Sequence, residues 1–159
     1  MRENDFIVSK TDPTGRITYG NRIFIEFSGY TEEELLGTQH NIIRHPDMPR
    51  AVFKLLWDTL KQEQEICAYV KNMARDGSYY WVFANVTPSY DTQGNVIGYY
   101  SVRRKPREEA LKVVDGLYRQ MRELELNNDP NTGLERSTRL LTDLLTQHKT
   151  TYEQFILSL

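Results

Sequence analysis

The period of the apolar positions changes three times along the chain. Near the start, Asp5–Lys10 reads as a short strand around Phe6, Ile7 and Val8, and Arg16-Ile17-Thr18-Tyr19 as a second. Between them Thr11-Asp12-Pro13-Thr14-Gly15 predicts a turn, so the two strands form a hairpin. A helical period follows: Ile23, Phe24 and Phe27 share a face in Asn21–Ser28, and Gly29 ends that segment. Thr31-Glu32-Glu33-Glu34 has the form of a capping box, in which hydroxyl and carboxylate satisfy each other's backbone donors. Gln39–Arg44 predicts a single helical turn. Asp47 and Pro49 open a helix to about Gln62, with Val52, Phe53, Leu56 and Leu60 on one face and Trp57 beside it.

A period of two then takes over. Ile66–Met73, Ser78–Tyr90 and Val96–Arg104 predict three strands, joined by turns at Arg75-Asp76-Gly77 and Asp91-Thr92-Gln93-Gly94-Asn95. After Pro106 the helical period returns. Glu108–Leu126 carries Leu111, Val114, Leu117, Tyr118, Met121 and Leu124 on one stripe. Residues 127–133 read as a linker, Leu134–His148 as a second helix, and Tyr152–Leu157 as a short apolar end. This order predicts an α+β fold: a five-stranded antiparallel sheet with short helices on one face, then C-terminal helices. The expected domains are 1–106 and a helical extension over 107–159. A pocket is expected between the helices and the concave sheet face.

Composition narrows the function classes. The chain has 159 residues, 39% of them hydrophobic and 26% charged, as in a folded globular protein. No apolar run approaches the roughly 18 residues of a membrane span, and Arg2-Glu3-Asn4-Asp5 is not the start of a signal peptide. Membrane insertion is therefore not expected, and the expected location is cytoplasmic. The lone Cys67 excludes an internal disulfide and a multi-cysteine metal site. With 20 basic against 22 acidic residues, and no basic excess in either part, no nucleic-acid partner is expected. All aromatic residues but Tyr118, Tyr152 and Phe155 precede residue 101, so the aromatic core belongs to the first two thirds.

Several segments together resemble a PAS domain, in particular the PAS domain of Aer-type aerotaxis receptors. They are Ile17-Thr18-Tyr19-Gly20-Asn21, Phe27–Leu35 (FSGYTEEEL), His40–Pro49 (HNIIRHPDMP), Val70-Lys71-Asn72, Asp76-Gly77, Tyr80-Trp81-Val82 and Ile97-Gly98-Tyr99. The resemblance covers residues 5 to about 120, and the HNIIRHPDMP segment is the part most specific to the aerotaxis type. It implies a sensory module whose pocket holds FAD and whose signal is the redox state of the flavin. Carried over by motif, Asn21, Arg44, His45, Asp47, Phe53, Asn72 and Trp81 are the candidate cofactor-binding residues. A guanidinium such as Arg44 suits a pyrophosphate. The Asn72 amide offers both a donor and an acceptor to a ring edge, and a charged His45 near the ring would tune its potential. Flavin-binding members usually carry a Trp where this chain has Ile66 or Cys67, a change that makes room for haem or a small metabolite. His40 and His45 are the candidate haem ligands.

Three function classes follow: a flavin sensor, a haem or metabolite sensor, and a ligand-free docking module. An enzyme is not expected, because no nucleophile–base constellation appears. The resemblance implies a chemoreceptor or other signalling protein as partner, reached through Glu108–Leu126, with a homodimer left open. No HAMP-like, kinase or cyclase segment is legible, so the chain reads as a stand-alone sensor.

Overall fold

A computed structural model describes Arg2 and residues 4–159. Met1 and Glu3, at the start of the expected 1–106 domain, lie outside the described residues. The chain divides into two compact units: residues 1–45 with 59–105, and residues 46–58 with 106–159.

The first unit is built on a five-stranded antiparallel sheet in the order β2-β1-β5-β4-β3. Its strands are β1 (Ile7–Thr11), β2 (Ile17–Gly20), β3 (Ile66–Met73), β4 (Tyr79–Tyr90) and β5 (Val96–Arg104). Two short helices precede β3: α1 (Arg22–Ser28) and α2 (Glu32–Leu35). The capping box at Thr31 and Glu34 forms as expected. Gly29 closes α1 with a left-handed φ of 71°, which glycine adopts without strain.

Register sorts the side chains into two faces, since residues opposite each other point the same way and neighbours alternate. Ile7 pairs with Arg103, Arg103 with Ala84, Ala84 with Ala68, and Tyr80 with Asn72. These residues share one face with Ser9, Val70, Val82 and Ile66. Phe24 of α1 packs against Arg103 and Phe27 against Tyr80, so this is the face that α1 covers. Ile7, Phe24, Ala68, Val82 and Ala84 are buried there.

Residues 37–44 connect the two edges of the sheet. Ile17 N–H donates to Thr38 O (2.9 Å) and Gly37 N–H to Ile17 O (2.8 Å), while Gln39 bridges Arg16, all on the β2 edge. Arg44 then bridges Asn72 on the β3 edge. Five residues reach at most about 18 Å when fully extended, and His40–Ile43 is coiled into a 3₁₀ turn. Five flat strands would be about 19 Å wide. The sheet must therefore curl its edges together over the face that carries Arg103 and Asn72.

The second unit holds Pro46–Asp58, including most of α3 (Arg50–Lys61), with α4 (Glu108–Leu126), α5 (Pro130–Gln147) and α6 (Tyr152–Ser158). The residues expected to form a linker at 130–133 are the first turn of α5. Asp129 caps that turn, accepting from Asn131 N and Thr132 N at 3.1 Å each, and Pro130 fits the first helical position. Gly133 sits inside the helix because α4 passes too close for a side chain: a Cβ there would lie 2.9 Å from Glu125 Cα. The terminal apolar segment is helical and opens on a capping box of Thr151 and Gln154.

The buried stripe of α4 is Ala110, Val114, Leu117, Tyr118, Met121 and Glu125, with Leu111 and Leu124 only half-buried. Glu125 is buried because it serves the N-terminus of α3. Its carboxylate accepts from Arg50 N (2.8 Å) and Ala51 N (3.0 Å). Among the described residues, no helix is long and apolar enough to cross a membrane.

Candidate functional site

The chemistry of the first unit gathers on the covered face of its sheet. β5 presents Arg103, β1 presents Ser9, and the 3₁₀ turn delivers His40. Ser9 Oγ lies 2.9 Å from His40 Nε2 and accepts a hydrogen bond from Arg103 Nη2. Arg103 Nη1 is 3.5 Å from the same His40 nitrogen. The Phe24 ring stacks on His40 (5.7 Å between centroids, 5° between planes) and lies 4.7 Å from the guanidinium carbon. β3 and β4 add Asn72 and Tyr80 as direct cross-strand partners, with Phe27 5.6 Å from the Tyr80 ring.

Burial dominates the electrostatics. It holds His40 down at about 3, and the Arg103 charge adds to the effect, so the imidazole is neutral. Burial also pushes the Tyr80 phenol up to about 12, with the Arg103 charge and the Asn72 amide pulling the other way. Arg103 is lowered to about 10 by burial and keeps its charge at neutral pH. Three buried polar atoms on this face make no well-formed hydrogen bond: Arg103 Nε, and Asn72 Nδ2 and Tyr80 OH, which come close enough for the amide to lower the phenol without a well-aligned bond between them. A buried donor left without a partner costs about 1–3 kcal/mol. Three of them on adjoining strands of one face form a donor-rich edge that fits a ligand rich in acceptors.

The candidates read from the sequence divide among several places. Asn72 belongs to this edge, and Arg44 reaches it through the backbone bridge. His45 packs its ring against Tyr79 at 5.7 Å, and Tyr79 points off β4 on the side opposite to Tyr80. Trp81 pairs with Lys71 and shares that opposite side, so Tyr80 is the aromatic residue of the pair that joins the cluster. Asn85 and Thr87 also lie on the opposite side, and Asn85 Nδ2 is 3.3 Å from Cys67 Sγ.

Asn21 is largely committed to the backbone. Its Oδ1 accepts from Val8 N (3.0 Å) and Phe24 N (2.9 Å), and Nδ2 donates to Phe6 O (2.8 Å), which pins the start of α1 to β1. Asp47 and Phe53 belong to the second unit. Of the two positions where the resembling family has Trp, Ile66 faces Val86 on the covered side and is 6% exposed, and Cys67 pairs with Asn85 on the opposite side.

Sequence reasoning missed Arg103, Tyr80, Ser9 and His40 as a group. The available signal was Arg103 in the alternating pattern of β5, where an even-odd count from Ile97, Tyr99 and Ser101 puts a charge on the face that those residues share.

Comparison with known proteins agrees with this architecture. The family model for the PAS fold matches residues 17–103. The aerotaxis receptor of Escherichia coli (strain K12) is 39% identical over 121 residues, covering 76% of this chain and 24% of that protein. The nitrogen fixation regulatory protein of Klebsiella pneumoniae is 33% identical over 97 residues, covering 61% of this chain and 20% of that one. The chain thus spans about a quarter or less of the length of these relatives. Among solved structures, the light state of the blue-light photoreceptor Aureochrome1 LOV superposes with a TM-score of 0.60 at 25% identity, covering 72% of this chain and 90% of that one. The chain is a PAS sensory domain, a member of the PAS fold family related to the aerotaxis receptor.

Proposed function

We propose that this chain is a cytoplasmic redox sensor that binds FAD and passes the state of the flavin to a chemoreceptor-type signalling partner. The observation that carries the reading is the unpartnered donor edge of Asn72, Tyr80 and Arg103 on the covered face of the sheet. The relationship to the aerotaxis receptor supports the same reading. When bound, a flavin supplies a chromophore that accepts and releases electrons.

The chain's own groups have distinct tasks. The Asn72 amide and the Tyr80 hydroxyl donate to carbonyl and ring-nitrogen acceptors, and together with Arg103 Nε they orient one edge of the ligand. Arg103 supplies positive charge that does not depend on pH near neutrality. Phe24 and Phe27 exclude water from the same face. His40 acts on the ligand only through Arg103 and Ser9, because its Nε2 already faces both. The nitrogen that haem would need is thereby engaged, which favours an acceptor-rich ligand. The output segment in this reading is α4, which follows β5 directly.

The test is the absorption spectrum of the purified protein, followed by mass spectrometry of the released chromophore. The expected result is a flavin spectrum with FAD in the released fraction. A Soret band, or a colourless protein that leaves added FAD unbound, overturns the reading.

A further inference from the structure

Arg103 is a buried guanidinium with no carboxylate beside it. It is 3% exposed. Its described contacts are Ser9 Oγ, the His40 nitrogen and the Phe24 ring, and its Nε has none. No ion pair among the described residues includes it. An uncompensated buried charge is a poor way to stabilise a fold. The groups that face it are neutral: His40 from the 3₁₀ turn and Tyr80 from β4 titrate only far from neutrality, and Ser9 of β1, Asn72 of β3 and the phenyl rings of α1 do not titrate. His45, the titratable residue singled out in the sequence, lies against Tyr79 instead. Across the neutral range, none of the described groups in contact with Arg103 changes its protonation; Arg44, at the Asn72 end of the face, is a second cation and does not titrate there either.

We propose that Arg103 is the fixed counter-charge of the ligand site and selects the ligand state that carries negative charge. The inference rests on the flavin reading above, where that state is the reduced ring bearing one negative charge. The balance is two electrons from a low-potential donor and one proton from solvent. The guanidinium takes the place of a second proton, which stays in solution. A site that binds one redox state more tightly shifts the equilibrium toward it by that difference in affinity, so Arg103 raises the midpoint potential and fixes the proton count.

The experiment is a dithionite titration of the flavin-loaded protein between pH 6 and 8, for wild type, Arg103→Gln and Arg103→Lys. For wild type and R103K, which keeps the charge, the midpoint should fall by about 30 mV per tenfold change in proton activity, the value for one proton per two electrons. For R103Q the slope should steepen toward about 59 mV, the value for two protons per two electrons, at the acid end of the range, where the reduced ring no longer has a counter-charge that keeps it anionic. Its midpoint should also drop by more than the roughly 30 mV that a tenfold loss of relative affinity represents. An R103Q protein that binds flavin with wild-type midpoint and slope overturns the inference and leaves the flavin reading standing. A wild-type protein that takes up no flavin overturns the reading, and the inference with it. A second readout needs no flavin: stripped Arg103→Met should melt at or above stripped wild type, because a buried charge is removed. Melting several degrees lower would mark Arg103 as a packing residue and overturn the proposal.

Discussion

The carboxylate of Glu125 caps α3 through the backbone N–H of Arg50, 75 residues away in sequence, at 2.8 Å, and also receives Ala51 N–H at 3.0 Å. The side chain is fully buried, with Arg50 Nε at 3.8 Å and Arg122 Nη1 at 3.7 Å. Arg122 also donates to Pro46 O at 2.9 Å. One carboxylate thus organises the second unit: it satisfies two backbone donors that a helix start leaves open and answers two cations.

Removing that group should be expensive. Glu125→Ala leaves the Arg50 and Ala51 N–H groups without their acceptor and removes the counter-charge of Arg50 and Arg122, and is expected to destabilise the second unit by about 3 kcal/mol. Glu125→Gln keeps an acceptor and should lose less. Hydrogen exchange at the Arg50 and Ala51 amides checks this: their protection should collapse in E125A and fall only partly in E125Q.

Two glycines inside helices should respond in opposite ways to the same substitution. Gly133→Ala puts a methyl 2.9 Å from Glu125 Cα and 3.0 Å from its carbonyl oxygen, both backbone atoms that cannot step aside. Overpacking of that kind costs about 1–3 kcal/mol, more than the gain of about 1 kcal/mol in helix propensity. At Gly116 of α4 nothing lies within 4 Å, so Gly116→Ala should gain up to about 1 kcal/mol. Urea denaturation of the two variants should move the midpoint in opposite directions.

Asn21 should behave as a structural clamp. Asn21→Ala removes the N-cap of α1 and its hydrogen bonds to Val8 N and Phe6 O. The expected loss is about 2 kcal/mol. Chemical denaturation of the flavin-free protein should show it in full. A variant that loses flavin affinity while keeping wild-type stability would assign Asn21 to the ligand instead.

His40 predicts a specific acid weakness. Its folded value of about 3 lies below the unfolded value of 6.5, so the unfolded chain binds the extra proton between these limits. Stability therefore rises with pH through this window and is complete above about pH 6.5. On acidification it is lost at up to about 1.4 kcal/mol per pH unit. The carboxylates held low in the fold, such as Asp12 and Asp76, give up their stabilisation only as pH falls through and below their ordinary value of 3.8. Glu34, whose ordinary value is 4.5, is held low as well and begins to contribute near that pH, so the upper part of the interval, from about pH 5.5 to 6.5, reports the histidine contribution. His40→Phe should flatten the stability curve there, and the His40 ring signals in NMR should stay in their neutral position down to pH 4.5.

Local signals carried most of the fold. Capping chemistry at Thr31 and the two-residue period of β3 and β5 are decided by neighbours in sequence, and those elements have the expected bounds. Asn131-Thr132-Gly133 resembles a linker because its glycine is locally unfavourable in a helix. Its place in α5 depends on the close approach of α4, which no local pattern reveals. The buried position of Glu125 is likewise set by a partner 75 residues away, and a charge on a helix otherwise reads as solvent-facing. The site was legible only in part. Asn72 stands out through its motif, whereas Arg103 and Ser9 meet through the pairing of β1 with β5, about 90 residues apart in sequence, and His40 joins them from the 3₁₀ turn, none of which a local pattern reveals. Alternation alone separates Tyr80 from Trp81, but which of the two faces the cluster depends on pairing with Asn72.

The most direct test of the central claim, that the donor edge on the sheet is a flavin site, is thermal unfolding of the stripped protein across a range of FAD concentrations. Ligand bound only by the folded state adds about 2.7 kcal/mol at a hundred times its Kd, which for a chain of this size raises Tm by about 5–10 °C. In wild type the Tm is expected to climb with the logarithm of FAD concentration, and in Asn72→Leu to climb much less. A wild-type Tm that stays constant from micromolar to millimolar FAD would contradict it.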